Sequence, residues 1–223
     1  MRRVLVAVLM VLASLGAAAP LRAQDEAAAI LATLTGADPD LRTYRADVAF
    51  DVGLRTFPYL RKTLHGNAYF KRPARMEVVF TDLPPIARAW SNLYVGLGTP
   101  SDWEKKFTIG SASDASSASH LRHLVLTPRA AEERLREVDV YLDGAVALPA
   151  RIVWRYRDGR IDMLQRFARV DGHDLVVAQD ADIRLPAVHA YVRARITNYV
   201  LNGDVDDSVF TPKRHERGEQ PAT

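Results

Sequence analysis

The chain has 223 residues, with 30 lysines and arginines, 27 aspartates and glutamates, and no cysteine. The absence of cysteine excludes disulfide staples and thiolate metal sites, so packing alone has to stabilise the fold. The length is that of a single domain with a sizeable core.

The first 23 residues are typical of a secretory signal peptide. Arg2 and Arg3 give a positive start, an apolar run of about a dozen residues follows, and small residues precede Ala23. Cleavage after Ala23 makes the protein periplasmic. The alternative is an uncleaved membrane anchor, although the run is shorter than the ~20 residues needed to span a bilayer. Loss of Arg2, Arg3 and Arg22 leaves 27 basic residues against 27 acidic ones, a balance that gives no indication of nucleic-acid binding.

Two stretches have the apolar spacing of an amphipathic helix. In the first, Asp25 to Leu34, apolar residues recur every three or four positions, and Gly36 is placed to end the helix. The second follows Pro84 and Pro85, and its apolar face carries Ile86, Ala89, Trp90 and Leu93. Each helix has one apolar face, which we expect to lie against another surface.

The rest of the chain alternates apolar and polar residues with a period of two, which predicts antiparallel strands with one solvated face. In the first half, strands are predicted from Tyr44 to Leu54, from Leu60 to Phe70, from Met76 to Phe80 and over 103–109. The small-residue segment 110–119 is predicted to be a mobile loop.

Four tight-turn dipeptides punctuate the second half: Asp143-Gly144, Asp158-Gly159, Asp171-Gly172 and Asn202-Gly203. They predict strands near 138–143, 150–157, 160–170, 173–185 and 189–201. About ten strands are more than an open, strongly twisted sheet carries comfortably, so the sheet should curl. The sequence therefore predicts an α+β, mainly antiparallel β fold: an incomplete β-barrel of about ten strands covered by two or three short helices. The domain is predicted over 24–212, with a disordered polar tail at 213–223.

Three features together resemble the periplasmic lipoprotein-carrier family of the LolA/LolB-like fold. The first is the order of leader, short helix and long alternating strand. The second is the segment from Gly66 to Met76, in which a glycine-containing strand ends at Arg72-Pro73. The third is the C-terminal segment from Ile196 to Pro212, with Asn198 in the closing strand and Phe210 in the last segment.

The resemblance implies a cavity for acyl chains, closed by helices, in an incomplete barrel. It also implies an internal arginine that holds the covers closed, for which Arg45 is the positional candidate. The candidate ligand-binding residues are apolar side chains on the strands and on the second helix: Phe50, Phe70, Phe80, Ile86, Trp90, Leu93 and Trp154. The alternative is that these side chains simply fill the core.

Other chemistry has weaker support in the sequence. His120 and His123 could join His173 or His189 as metal ligands, but solvated loop histidines explain them better. No serine lies in a Gly-x-Ser-x-Gly turn, and the expectation is no catalytic residue, no metal and no cofactor.

The hypothesis is therefore a non-enzymatic, monomeric carrier or binder of a lipid or acylated lipoprotein. A membrane-bound protein could act as donor or acceptor, and no nucleic acid is expected as a partner. The alternative is a protein-interaction or stress-sensing module of the envelope built on the same scaffold.

Overall fold

The computed structural model describes residues 18–57, 59–81, 97, 99–112, 121–130, 134–144, 148–186 and 188–211, with the side chains described from residue 24 onward. Its helices are α1 (Ala18–Gly36), α2 (Pro100–Lys106) and a 3₁₀ helix (Asp207–Phe210). Its strands are β1 (Thr43–Leu54), β2 (Arg61–Lys71), β3 (Arg75–Phe80), β4 (Phe107–Ser111), β5 (Leu121–Pro128), β6 (Leu135–Asp143), β7 (Leu148–Tyr156), β8 (Gly159–Val170), β9 (His173–Leu185) and β10 (Val188–Leu201).

All ten strands form one antiparallel sheet in the order β3-β2-β1-β10-β9-β8-β7-β6-β5-β4. Consecutive strands are neighbours except β3 and β4, which lie at the two edges of the sheet, and the last strand, β10, pairs with the first, β1. The sheet stays open between β3 and β4. The predicted fold class, a ten-stranded antiparallel sheet with helices, is thus confirmed.

The register brings the apolar positions of every strand to the same face of the sheet. Directly opposed residues share a face, and Phe50 lies opposite both Leu64 of β2 and Ala194 of β10. Farther along, Ile161 lies opposite Trp154 of β7. This face is called the inner face below, and the opposite face, which carries most of the charges, is called the outer face.

A bulge at Asn198 allows β10 to keep its apolar residues on the inner face to its end. The register with β1 shifts between Arg45 and Asp47, and Asn198 adopts a left-handed conformation with φ 54°. Asparagine tolerates this conformation better than most residues. Its side-chain amide donates to Asp47 at 2.8 Å, and Tyr199 then joins the apolar side chains near Tyr44.

Arg72 fixes the connection between α1 and β1. Its Nε donates to the Leu41 carbonyl at 2.7 Å, and one Nη donates to the carbonyls of Ala37 and Asp38 at 2.8 and 2.5 Å. Asn202 adds a further contact, since its side-chain oxygen accepts from the Arg42 amide at 2.7 Å. The end of α1 is thereby tied to the ends of β2 and β10.

Several local predictions differ from the structure. The segment 103–106, predicted as the start of a strand, is helical, because Pro100 stands in the first turn of α2 and Asp102 and the lysines at its end suit the helix dipole. Strand β5 was not predicted, and residues 110–111 belong to β4 instead of the predicted loop. The predicted second helix and the polar tail lie outside the described residues, and the domain bounds stay a prediction.

Candidate functional site

The inner face of the sheet carries two apolar clusters that differ in their cover. The helix-covered cluster lies on the β4 side and includes Ile30 and Leu34 of α1. The edge cluster lies on β1, β2, β3, β9 and β10, and its described members include no residue of α1 or α2. Among the described elements, α1 packs against β4 and α2.

The helix-covered cluster is the more completely buried of the two: among the described residues it has 18 buried members and eight half-buried apolar side chains packed against them. Its central strand residues Leu124, Leu126, Val138 and Val140 are all 0% exposed. Trp103 of α2 is also buried there, although its position was predicted to be in a strand. Large apolar side chains from six strands and two helices are buried here, so this part of the protein is a close-packed interior like that of other globular proteins.

The edge cluster is only partly closed. Its buried members are Ala46, Val48, Phe50, Leu64, Ala68, Ala194 and Ile196. An equal number of apolar side chains packed around them stay half-buried: Tyr44, Val52, Val78, Phe80, Val176, Val192 and Tyr199. Aromatic rings dominate this surface, with the Phe50 and Phe80 centroids 5.3 Å apart and Tyr44 stacked on Phe70 at 5.3 Å.

The structure brings three of the predicted ligand-binding residues together and separates a fourth. Phe50, Phe70 and Phe80 lie in or beside the edge cluster, on neighbouring strands. Trp154 lies in the helix-covered cluster and is 8% exposed, so it belongs to the closed core. The other three, Ile86, Trp90 and Leu93, lie outside the described residues.

Two polar atoms interrupt the apolar inner side. Gln179 of β9 lies opposite Ala194 of the edge cluster and Gln165 of β8, which places it where the two clusters meet. It is 9% exposed, and its Oε1 has no hydrogen-bond partner in the described ranges. The indole Nε1 of Trp103 is likewise buried and, within the same ranges, unpaired. An unpaired buried polar group costs about 1–3 kcal/mol, so both atoms would gain from a bound polar group.

The desolvated environment of the edge cluster shows in its tyrosines. Burial raises the pKa of Tyr44 to about 12, and burial together with the neighbouring Tyr44 also raises the pKa of Tyr199. The Tyr199 hydroxyl donates to the Val176 carbonyl at 2.6 Å. Both side chains therefore remain neutral phenols and contribute apolar ring surface to the cluster.

The histidine prediction was wrong for His123. Its side chain is 9% exposed, stacks on Tyr141 with centroids 4.3 Å apart, and lies 2.8 Å from the buried Asp139 carboxylate. Arg155 donates to the other oxygen of Asp139 at 2.5 Å. His173 is also paired, at 2.6 Å from Asp38. The sequence did not reveal these pairs, because β5 was not predicted and Asp38 lies 135 residues from His173.

Arg45 does not serve as an internal arginine. It is exposed on the outer face, opposite Tyr69. Arg72 instead makes the inward contacts to the end of α1. Its position beside Pro73 was noted in the sequence, but its contacts depend on the turn that follows β2.

Among the described residues, no group of three or more histidines, aspartates or glutamates is placed to hold a metal ion. In the same ranges, no helix is long and apolar enough to cross a bilayer.

The sequence matches no protein-family model, and no curated protein matches it significantly. Solved structures do match. A domain named for outer membrane lipoprotein sorting, from Vibrio parahaemolyticus, has a TM-score of 0.63 at 9% identity, covering 84% of this chain and 97% of that one. A DUF1329 family protein from Desulfovibrio piger has a TM-score of 0.58 at 11% identity, covering 86% and 98%.

A LolA superfamily protein from Nitrosomonas europaea has a TM-score of 0.50 at 10% identity, covering 83% of this chain and 97% of that one. Identities this low establish similarity of fold alone. They agree with the resemblance seen in the sequence, because the same open antiparallel sheet with helices is found over nearly the whole length of each structure. This chain has the LolA-like fold.

Proposed function

We propose that the protein is a non-enzymatic periplasmic carrier or binder of an acylated ligand, a lipid or a lipoprotein, and that it acts as a monomer. The edge cluster carries this proposal, because half of its described apolar side chains are only partly buried. A soluble protein rarely leaves a contiguous aromatic and aliphatic surface partly open unless something binds there. The LolA-like fold and the predicted leader are consistent with this role.

The binding energy would come from burial of acyl chains on the edge cluster. Each CH₂ group transferred from water contributes about 0.8 kcal/mol. Phe80 and Val78 of β3 lie at the open side of the sheet, so an acyl chain could reach them without disturbing the closed core under α1. Affinity has to remain moderate for a ligand that is passed on, and a half-open surface limits the buried area accordingly.

Gln179 would orient the polar end of such a ligand. Its unpaired Oε1 can accept a hydrogen bond from an amide N–H or a hydroxyl. It lies at the boundary between the two clusters, beside Ala194. An acyl chain on the edge cluster would thus place its amide or hydroxyl group near this oxygen.

Titration with a fluorescent fatty-acyl probe tests the proposal. Protein purified from the periplasmic fraction should bind the probe with a gain in fluorescence. Phe80→Ser should weaken binding about tenfold, because the edge cluster loses a half-buried ring. Leu164→Ser is the matched control, since Leu164 is a 53% exposed side chain of the outer face, and it should leave the affinity unchanged.

Two results would contradict the proposal. One is the absence of any fluorescence gain with wild-type protein that is stripped of bound lipid. The other is equal probe affinity in wild type, Phe80→Ser and Leu164→Ser, which would place the binding surface elsewhere.

The alternative function is the binding of a protein partner along an open sheet edge. Strands β3 and β4 are the two edges of the sheet, and an unpaired edge can accept an additional strand through its backbone. In-cell crosslinking separates the two functions. A discrete protein adduct from the β4 edge, with no lipid in the purified protein, favours the interaction module.

A further inference from the structure

The turn between β1 and β2 has the two most exposed large apolar side chains of the described residues, Phe57 and Tyr59, with Leu60 beside them. Phe57 is 85% exposed, Tyr59 is 71% exposed and Leu60 is 48% exposed. The rings of Phe57 and Tyr59 contact each other edge to face, with centroids 6.4 Å apart. These three residues are called the aromatic tip.

The tip is held in place by its backbone. Leu54 donates to the Leu60 carbonyl at 2.7 Å, Tyr59 donates to the Thr56 carbonyl at 2.9 Å, and Arg55 donates to the His189 carbonyl at 2.6 Å. Tyr59 has a φ of 53°, a left-handed conformation that costs a non-glycine residue about 1–2 kcal/mol. The turn thus keeps an aromatic residue where glycine would fit better, and it points apolar surface into solvent.

Basic residues surround the tip at the same end of the sheet. The register places His189 opposite Arg184, Arg184 opposite Arg160, and Arg160 opposite Arg155, in one row across β10, β9, β8 and β7. Like charges directly opposite each other destabilise a sheet. At the described ends of these strands and of β1, β2 and β6, Arg55, Arg61 and Arg157 add basic side chains, whereas Asp158 and Glu137, which lies opposite Arg155, are acidic.

Part of this charge is left without an internal partner. Arg184, Arg55 and His189 lie beside Asp182, and Arg61 pairs with Asp51. Arg155 pairs with Glu137 and Asp139. Arg160 has no ion pair within the described ranges, and it lines an outer-face groove of about 530 Å³ that carries five arginines and three aspartates, Asp162, Asp180 and Asp182. Because arginines outnumber aspartates in this groove, an anion there would relieve the repulsion that remains around Arg160.

We infer that this end of the sheet docks on an anionic phospholipid bilayer. The aromatic tip enters the interfacial region, where aromatic rings with a polar group are favoured. The basic row and the groove face the headgroup phosphates, and each basic residue near an anionic surface strengthens binding about fivefold. A purely electrostatic partner would not require the exposed rings, and a purely apolar partner would not require the row of arginines.

Flotation with lipid vesicles tests the inference. Wild-type protein should float with phosphatidylglycerol-containing vesicles at low salt, bind less at high salt, and bind weakly to phosphatidylcholine vesicles. The double variant Phe57→Ser with Tyr59→Ser should lose binding about tenfold or more. Arg160→Gln with Arg184→Gln should lose about 25-fold, following the fivefold effect per residue.

The matched charge control is Arg45→Gln with Arg195→Gln. Both arginines are exposed on the outer face, away from the tip, and neither has an ion pair among the described residues. This control should keep most of the binding. Equal loss in both arginine pairs would overturn a specific docking end and leave only nonspecific charge attraction.

A site-specific label adds a second measurement, because the chain has no cysteine. Phe57→Cys carrying an environment-sensitive dye should gain fluorescence severalfold on anionic vesicles. Val200→Cys, also exposed (57%) but at the other end of β10, should not change. No gain at position 57, or no flotation of wild type, would overturn membrane docking and assign the tip to a protein partner.

The outcome of the vesicle-docking experiments is independent of acyl-ligand binding. The tip variants alter a turn at the opposite end of β1 from Tyr44, and none of their residues belongs to the edge cluster. Their acyl-probe affinity should equal that of wild type. Loss of vesicle docking with normal probe binding, or the reverse, therefore identifies which of the two activities fails.

Discussion

The helix-covered cluster and the edge cluster occupy the same face of the same sheet, yet they differ in how completely they are filled. In the first, α1 lies over β4 and its neighbours, and the central leucines and valines are fully buried. In the second, large rings lie on neighbouring strands, and apolar side chains such as Phe80 and Tyr199 remain half-buried.

The difference teaches that one curved sheet can divide its apolar surface between stability and binding. Burial of a leucine in the closed cluster stabilises the folded state directly. Apolar surface that stays open in the edge cluster contributes less to stability and remains available to a ligand. A substitution in the helix-covered cluster should therefore change the free energy of unfolding more than ligand affinity. A substitution in the edge cluster should change ligand affinity more than the free energy of unfolding.

The largest effect on stability is expected in the closed cluster. Leu126→Ala should lower the free energy of unfolding by about 3 kcal/mol, because Leu126 is 0% exposed and a cavity would remain. Denaturant unfolding measures this change. Leu164→Ala on the outer face is the control and should cost little. Acyl-probe affinity of the folded Leu126→Ala protein should be unchanged, and a loss of affinity would erase the distinction between the clusters.

The cover of the closed cluster should loosen when its anchor is removed. Arg72→Ala deletes three hydrogen bonds to backbone carbonyls at the end of α1, and the expected cost is about 2 kcal/mol. Hydrogen exchange should show faster exchange in α1 while the central strands stay protected. Arg45→Ala, an exposed outer-face arginine, is the control. Unchanged exchange in α1 would show that the helix does not depend on Arg72.

Substitution of a half-buried residue of the edge cluster should affect acyl-probe affinity more than the free energy of unfolding. Phe80→Ala should lower the free energy of unfolding by only about 1 kcal/mol, while acyl-probe affinity falls severalfold. Parallel denaturant unfolding and probe titration measure both quantities. A loss of stability as large as that of Leu126→Ala would show that the edge cluster is a closed core as well.

Alkaline pH should open the edge cluster first. The pKa of tyrosine is ordinarily 10.0, and burial raises that of Tyr44 to about 12. The resulting stabilisation is complete below pH 10 and is lost as the pH rises through the folded-state value. Absorbance titration at 295 nm should show tyrosines that ionise late, and one fewer of them in Tyr44→Phe. If Tyr44→Phe has as many late-ionising tyrosines as wild type, that result would contradict burial of Tyr44.

The smallest effect on the free energy of unfolding is expected for substitutions on the outer face. The hydrogen bonds from Arg151 lower the pKa of Asp162, so this pair stabilises the fold above about pH 4 and loses that contribution as the pH falls further. Arg151→Gln should cost less than about 1 kcal/mol at pH 7, because the pair is partly exposed. Unfolding curves at pH 7 and pH 3 should show a larger difference at pH 7 than at pH 3.

Local alternation predicted most of the sheet. The strand from Tyr44 to Leu54 and the turns at Asp158-Gly159 and Asp171-Gly172 could be read because period and turn chemistry are local. Helix α2 was missed because Trp103 to Ile109 also alternates like a strand, and its packing under α1 is not local. Of the predicted site residues, Phe50, Phe70 and Phe80 share a surface, whereas Trp154 has the same sequence pattern but lies under α1. Only the three-dimensional position of the cover separates these cases.

The most direct test of the central claim is native mass spectrometry of protein released gently from the periplasm. We expect a population heavier than the polypeptide by the mass of a lipid or acyl chain, and lipid extraction should return that mass to the apoprotein. Phe80→Ser should reduce this population, and Leu164→Ser should not. A single mass equal to the bare polypeptide, in protein that also fails to take up an added acyl probe, would contradict carriage by the edge cluster.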